Sequence, residues 1–286
     1  MTNLTNFTAR FEHLGLPTEL NFQFDLSKGN HKTVHNFLSN GMFYEPDVTN
    51  LMKRALRSGD CAVDIGSNLG CHTLFMSKFV GVTGKVIAFE PDPRNLIDFK
   101  NNLAINLIKN ITLHEVAVSD GKKKVDLLSY DLDGGWTAVS EGAANNVDDA
   151  QLVSGIDAHS LDEMIKWEKV RLVKLDVEGY EGKVLDGAEH LINQGLVDFW
   201  IVEYAPHCLA TFGEDQWTIR NRFKSVGYDC FVLTRSGQIP QFVPSETKIQ
   251  TPDAMQNVFV INLLFCKQQK LGEIYPENDF AKFVYG

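Results

Sequence analysis

The chain has 286 residues, 44 % of them apolar, with 27 Lys and Arg against 37 Asp and Glu and a formal net charge of −10. That composition is enough for a sizeable buried core and excludes a disordered chain. There is no run of about 18 apolar residues to span a membrane, and no basic run longer than Lys122, Lys123 and Lys124 to hold a phosphate backbone.

Cys61, Cys71, Cys208, Cys230 and Cys266 are scattered without a Cys-x-x-Cys pair, and the first residues lack the basic start and apolar stretch of a signal peptide. Reduced thiols in a cytoplasmic protein are expected. Residues 1–45 are polar and Asn-rich, with Phe7, Phe11, Phe22 and Phe24 dispersed among them, and read as an arm packed on a core. From Asp47 the pattern becomes periodic. Val48–Leu56 reads as a helix, Cys61–Ile65 as a strand, Gly70–Val80 as a helix, Lys85–Glu90 as a strand and Arg94–Leu107 as a helix behind Pro91-Asp92-Pro93. Ile111–Val118 and the short Val125–Leu128 read as strands, and residues 131–157, rich in Gly, Asp, Asn and Ala, as a long loop, functional or mobile. The helix Leu161–Trp167, strand Val170–Val177, helix Glu181–Ile192, strand Val197–Tyr204 and helix Asp215–Val226 follow, and Tyr228–Thr234 and Val258–Phe265 close as strands. Such alternation means a mostly parallel sheet covered on both faces, with the last strand inserted antiparallel. One domain over residues 46–270, followed by a tail over 271–286, is the economical division.

The sharpest motif is VDIGSNLG, Val63 to Gly70, a strand running into a Gly-x-Asn-x-Gly turn that opens a helix. Gly66 allows the tight turn, and Gly70 would let the helix start sit close to a ligand. Glu90, twenty residues past Gly70, ends the second strand, where an acidic side chain accepts from ribose hydroxyls in sheets of this kind. The spacing is not the Gly-x-Gly-x-x-Gly that brings a pyrophosphate onto the backbone, and Asp64 stands just before the turn. A carboxylate there suits an amine and a sulfonium, so S-adenosylmethionine fits and NAD fits badly.

The second motif is LVKLDVEGYEGKVLDGA, Leu172 to Ala188. Its strand should flank the first across the topological switch point, which places Asp176 and Glu178 at the cofactor's reactive end. Glu181 joins them in sequence, either as a third site carboxylate or as a first-turn helix acid favoured by the dipole. Crowded carboxylates serve as a general base or bind a divalent metal, and Asp176 and Glu178 would be the ligands. Glu203 and His207, just past the fifth strand, are second choices for the base, or structural polar residues at a strand end. His72 reads as a packing or cofactor-side residue. Trp136, within Gly134-Gly135-Trp136-Thr137, is a candidate wall of the acceptor pocket or an anchor of its loop.

VDIGSNLG, FEPDP (Phe89–Pro93), NNLAIN (Asn101–Asn106), HEVAVSD (His114–Asp120) and KLDVEGYEGKVLDGA together resemble the FkbM family of S-adenosylmethionine-dependent methyltransferases. The likeness runs from FYEPD (Phe43–Asp47) to NVFVINLLF (Asn257–Phe265), with Ser67 where the family's turn commonly has Ala. It implies the class I, Rossmann-like α/β fold: a mostly parallel seven-stranded sheet with helices on both faces and an antiparallel last strand. It also implies cofactor contacts at Asp64, Gly66, Ser67, Asn68, Gly70 and Asp176, with Glu90 and Pro91 at the ribose and adenine near Val116 and Ala117. The expected reaction is O-methylation of a hydroxylated small molecule, a sugar or natural product, with Glu178 and Trp136 at the acceptor. An N-methyltransferase of a small molecule or peptide and a non-catalytic cofactor-binding module are the alternatives. A nucleic-acid or membrane partner is not expected; self-association is left open.

Overall fold

Two paired strands, β1 (Leu4–Phe11) and β2 (Leu16–Asp25), open the chain, followed by α1 (Gly29–Ser39). This computed structural model describes residues 4–130, 137–140, 150–166, 168–234, 238–256 and 258–276. The Phe residues scattered along the first 45 positions fall into register in the hairpin. Alternate residues Ala9 and Phe11 of β1 and Leu20, Phe22 and Phe24 of β2 are buried, and they meet Phe43 and Phe75 in one cluster. The motif NNLAIN explains how the hairpin docks. A bare strand edge presents unpaired backbone groups. Here Asn102 Oδ1 accepts from Gln23 N at 2.8 Å, while Asn106 accepts from Asn21 N at 2.8 Å and donates to Asn21 O at 2.6 Å.

The elements then alternate as α2 (Pro46–Ala55), β3 (Cys61–Ile65), α3 (Cys71–Val80), β4 (Lys85–Phe89), α4 (Pro93–Asn106) and β5 (Ile111–His114). Beyond β5 the chain leaves the main sheet. Four strands, β6 (Ala117–Ser119), β7 (Lys123–Tyr130), β8 (Thr137–Val139) and β9 (Ala150–Ser160), form a second sheet in the order β6-β9-β7-β8. The stretch 131–157, expected to be a loop, is therefore strand at residues 137–139 and from 150 onward. Gly155, at φ +76°, sits where the pairing register shifts, and such a bulge breaks the alternation by which a strand is recognised.

After α5 (Leu161–Ile165) come β10 (Val170–Leu175), α6 (Glu181–Asp186), α7 (Glu189–Asn193), β11 (Val197–Tyr204), α8 (Pro206–Thr211), α9 (Gln216–Lys224), β12 (Asp229–Val232), β13 (Gln241–Val243), β14 (Ile261–Cys266) and α10 (Gln268–Ile274). The helix expected over 181–192 is broken at Gly187. A Cβ there would lie 1.9 Å from Ser119 O, so this corner is folded tightly against β6. The main sheet runs β13-β12-β14-β11-β10-β3-β4-β5. From β5 to β11 the pairs are parallel, and β14 inserts antiparallel between β11 and β12. This is the class I methyltransferase arrangement of mixed α/β structure. It has eight strands instead of seven, because the three-residue β13 adds an edge too short to leave a pattern. No described helix is long and apolar enough to cross a membrane.

Chain order reverses between β3 and β10, the switch point of the sheet. The buried faces of β3 and β11 lock those strands, so the loops at their carboxyl ends converge on fixed positions.

Candidate active site

Ile65 and Leu175 are register partners, so the chain leaves β3 and β10 at the same level. Gly66 follows with φ +81°, and a Cβ on it would stand 1.7 Å from Asp176 O. Only a residue without a side chain lets the two strand ends close. Gly70, at φ +85°, has a different role from the one its spacing suggests. A Cβ there would meet the Phe99 ring at 2.3 Å, so Gly70 admits α4 against α3 and does not itself line the site. Ser67 Oγ donates to Asp64 O at 3.0 Å and Phe89 O at 3.2 Å, which ties the turn to both strands.

Beyond these strand ends lies a cavity of about 270 Å³. Of the residues singled out in the sequence, Asp64, Gly66, Ser67, Asn68, Glu90, Pro91, Val116, Ala117, Asp176, Glu178 and Glu203 line it. Asp64 is fully buried. Its Oδ2 accepts from Thr73 Oγ1 at 2.5 Å, and its Oδ1 is buried without a partner among the described residues. Glu90 accepts from Asn68 N at 2.7 Å, Asp92 N at 2.9 Å and Asn95 Nδ2 at 3.2 Å. Burial pushes its carboxyl up to about 7, against the pull of the backbone donors.

Around Lys174, the register partner of Asp64, the cavity is acidic. Lys174, buried in the strand, donates to Asp176 Oδ2 at 2.7 Å. Asp176, Glu178 and Glu203 bring one carboxylate oxygen each within 4.8 Å of the others. Removal from water, with the charges of Asp176 and Glu181 nearby, pushes Glu178 up to about 8, and the same causes hold Glu203 well above the carboxylate range. Glu181 stands apart from the cavity lining. Its Oε1 accepts from Val177 N at 3.1 Å and Gly179 N at 3.2 Å, and so shapes the turn that presents Glu178.

Beside this cluster the chain places His72, read from the sequence as a packing or cofactor-side residue, and residues that sequence reasoning passed over. Glu45 Oε2 lies 2.8 Å from His72 Nε2, and both line the cavity with Tyr44, Asn30 and Lys174. Burial pushes the Glu45 carboxyl up, but the His72 hydrogen bond and the charges of His72 and Lys174 outweigh it and bring it down to about 2. Five described non-glycine residues hold positive φ. Leu107 and Lys166 end helices, whereas Glu45, Asn68 and Glu178 all face the cavity. Strain of this kind gathers where the surrounding structure must hold a side chain in place. The local signal is a lysine inside an apolar strand, Lys174 of β10.

His207 lies in the first turn of α8, outside the cavity lining, with Nδ1 buried and unpartnered among the described residues. Trp136 falls outside the described residues, as do Phe280, Phe283 and Tyr285 of the tail.

The family described as "Methyltransferase FkbM domain" matches residues 64–230, more than half of the chain. A curated relative, Methyltransferase 1 of Beauveria bassiana, is 26 % identical over 213 residues, which cover 68 % of this chain and 80 % of that one. The solved FkbM methyltransferase of Methylobacillus flagellatus aligns with a TM-score of 0.45 at 17 % identity over 82 % of this chain and 54 % of its own, so the chain spans about half of that protein's length. A solved S-adenosylmethionine-dependent O-methyltransferase of Thermotoga maritima aligns with a TM-score of 0.42 at 12 % identity, over 78 % of this chain and 65 % of its own.

Proposed function

The chain belongs to the FkbM family of S-adenosylmethionine-dependent methyltransferases, and from that premise we propose that it methylates a hydroxyl on a small molecule of the sugar or natural-product kind. The observation that carries this reading is one cavity that brings together an Asp64 oxygen, unpartnered among the described residues, beside the glycine turn and the Asp176, Glu178 and Glu203 carboxylates. The orphaned acceptor on Asp64 fits the cofactor's amino group, Glu90 fits the ribose hydroxyls, and Val116 and Ala117 offer an apolar bed for adenine. The cofactor supplies an electrophilic methyl on a sulfonium. The chain's part is to align the acceptor oxygen with that methyl, exclude water and take the hydroxyl proton. Glu178, assisted by Glu203, is the base in this reading. So many carboxylates around one lysine make a poor host for a polyanion, which favours a small neutral acceptor over nucleic acid.

Thermal unfolding tests the premise. Either S-adenosylmethionine or S-adenosylhomocysteine at ~100 times its dissociation constant adds about 2.7 kcal/mol, a rise of a few degrees in a domain of this size, and NAD adds nothing. Folded protein unmoved by both sulfur compounds would remove the reading. A second reading rests on the grouping of the Asp176, Glu178 and Glu203 oxygens, which suits a divalent cation that lowers the acceptor's pKa in place of a base. Transfer that stops with EDTA and returns with magnesium would select it.

Glu90 also predicts a pH dependence. Ribose hydroxyls donate best to an ionised carboxylate, so S-adenosylhomocysteine binding should tighten as pH rises from 6 to 8 through the Glu90 value of about 7. The stability of the unliganded protein should follow the opposite trend. A carboxyl raised on folding stabilises below its unfolded pKa, and that stability is lost as pH climbs through about 7. Calorimetric titrations with ligand and thermal melts without it, at three pH values and for wild type against Glu90→Gln, check both signs. An equally steep profile in the variant assigns the effect elsewhere.

A further inference from the structure

Asp92 follows Glu90 by two residues and is completely buried. Its N–H donates to Glu90 Oε1 at 2.9 Å, which ties it to the ribose-side carboxylate. Its own carboxylate faces elsewhere. Oδ1 accepts from Arg94 N at 2.8 Å, the N-cap bond of α4, and Oδ2 accepts from Arg94 Nη2 at 2.9 Å. A helix cap needs no more than this.

Oδ2 nevertheless takes two further bonds from the second sheet, from Ser129 Oγ at 2.9 Å and Thr137 Oγ1 at 2.7 Å, and the two hydroxyls lie 3.0 Å from each other. Ser129 and Thr137 are cross-strand partners in the β7–β8 hairpin, and the partners two residues along are Leu127 and Val139. With a side-chain period of two, both pairs share one face of the hairpin, roughly 7 Å apart. Leu127, Thr137 and Val139 all line the cavity, together with Val116 and Ala117. The hydroxyl pair thus fixes where the apolar pair stands.

We infer that Asp92 is a positioning residue: it clamps the β7–β8 hairpin over the cofactor site, so that Leu127 and Val139 form an apolar wall against the adenine. A buried carboxylate with this many donors is held in a single orientation, so the wall is set before the ligand arrives. The inference rests on the placement of the cofactor proposed above and adds to it a subsite from outside the main sheet.

The test compares two paired variants that leave Asp92 and its helix cap intact. Ser129→Ala with Thr137→Val removes both hydroxyls at nearly constant volume, while Ser129→Thr with Thr137→Ser keeps them. S-adenosylhomocysteine and 5′-methylthioadenosine, which lacks the amino-acid half, are titrated calorimetrically. The first variant should lose about tenfold in affinity for both ligands, and the second should stay within about threefold of wild type for both. Asp64→Asn, on the amino-acid side, should weaken S-adenosylhomocysteine alone. If the hydroxyl-free variant fails to fold, Thr137→Val by itself is read the same way. A hydroxyl-free variant that melts and binds like wild type overturns the clamp. So does an equal loss in the hydroxyl-keeping pair. Wild-type protein that binds neither ligand overturns the cofactor placement and the clamp with it.

Discussion

Gly66→Ala is expected to abolish S-adenosylhomocysteine binding at concentrations that saturate the wild type, and to lower folding stability by about 3 kcal/mol or more. Two effects combine. The backbone at φ +81° is left-handed, which costs an L-residue about 1–2 kcal/mol. The added Cβ would also stand 1.7 Å from Asp176 O, and no rotamer can relieve a contact with backbone. The strain is released only by parting the carboxyl ends of β3 and β10, which moves Asp64 and Asp176 off the cavity they share. Gly155→Ala separates the two effects. Gly155 has φ +76° but no described residue within 4 Å of its Cβ position, and it lies on the second sheet. Its substitution should cost only the backbone strain and leave ligand affinity unchanged. Thermal melts and ligand titrations of both variants decide the matter, and a Gly66→Ala protein that binds normally would mean the turn is merely a corner.

The parts of this fold that were legible in the sequence are those where burial alone dictates the pattern. Cys61–Ile65 is buried at every position and Val197–Tyr204 at nearly every one, so both read as apolar runs. The antiparallel return of Ile261–Cys266 could be inferred because two strands followed one another with no helix between them. The N-terminal hairpin was harder. Ala9, Phe11, Leu20, Phe22 and Phe24 do alternate, but with Asn, Thr and Gln between them the segment reads as an arm packed on a core and not as a pair of strands. What makes the hairpin part of the core is its docking on Asn102 and Asn106, a tertiary property. The site divides in the same way. Asp64, Glu90, Asp176 and Glu178 sit at strand ends, where topology says a ligand must lie. Glu45 reaches the cavity from before α2, by way of a left-handed turn and a His72 contact, and no local pattern announces either. Lys174 was visible as a charge in an apolar strand, yet its meaning depended on which neighbour would pair with it.

That pairing makes Asp176 and Glu178 unequal, although they stand two residues apart. Asp176 is bound to Lys174, so Asp176→Asn takes from a buried ammonium its hydrogen-bonded counter-charge and leaves it the charges of Glu45 and Asp64. Removing one partner of such a pair typically costs 3–5 kcal/mol, and the variant should lose stability and turnover together. Glu178 has no such partner among the described residues. Desolvation at the cavity wall and the neighbouring acids push it up to about 8, which makes it a stronger base than an ordinary carboxylate once it is ionised. Glu178→Gln keeps shape and polarity but cannot take a proton. It should melt like wild type, bind S-adenosylhomocysteine within about threefold, and slow methyl transfer by roughly 10²–10⁴-fold. The wild-type rate should climb with pH through about 8, and the variant should lose that rise. The readout is transfer of labelled methyl to hydroxylated small molecules found by screening. Because melting and affinity are measured alongside, a slow variant that still folds and binds can be slow only in chemistry. Full turnover in Glu178→Gln would move the base to Glu203, whose carboxyl is also held well above the carboxylate range and whose Oε2 has no partner among the described residues.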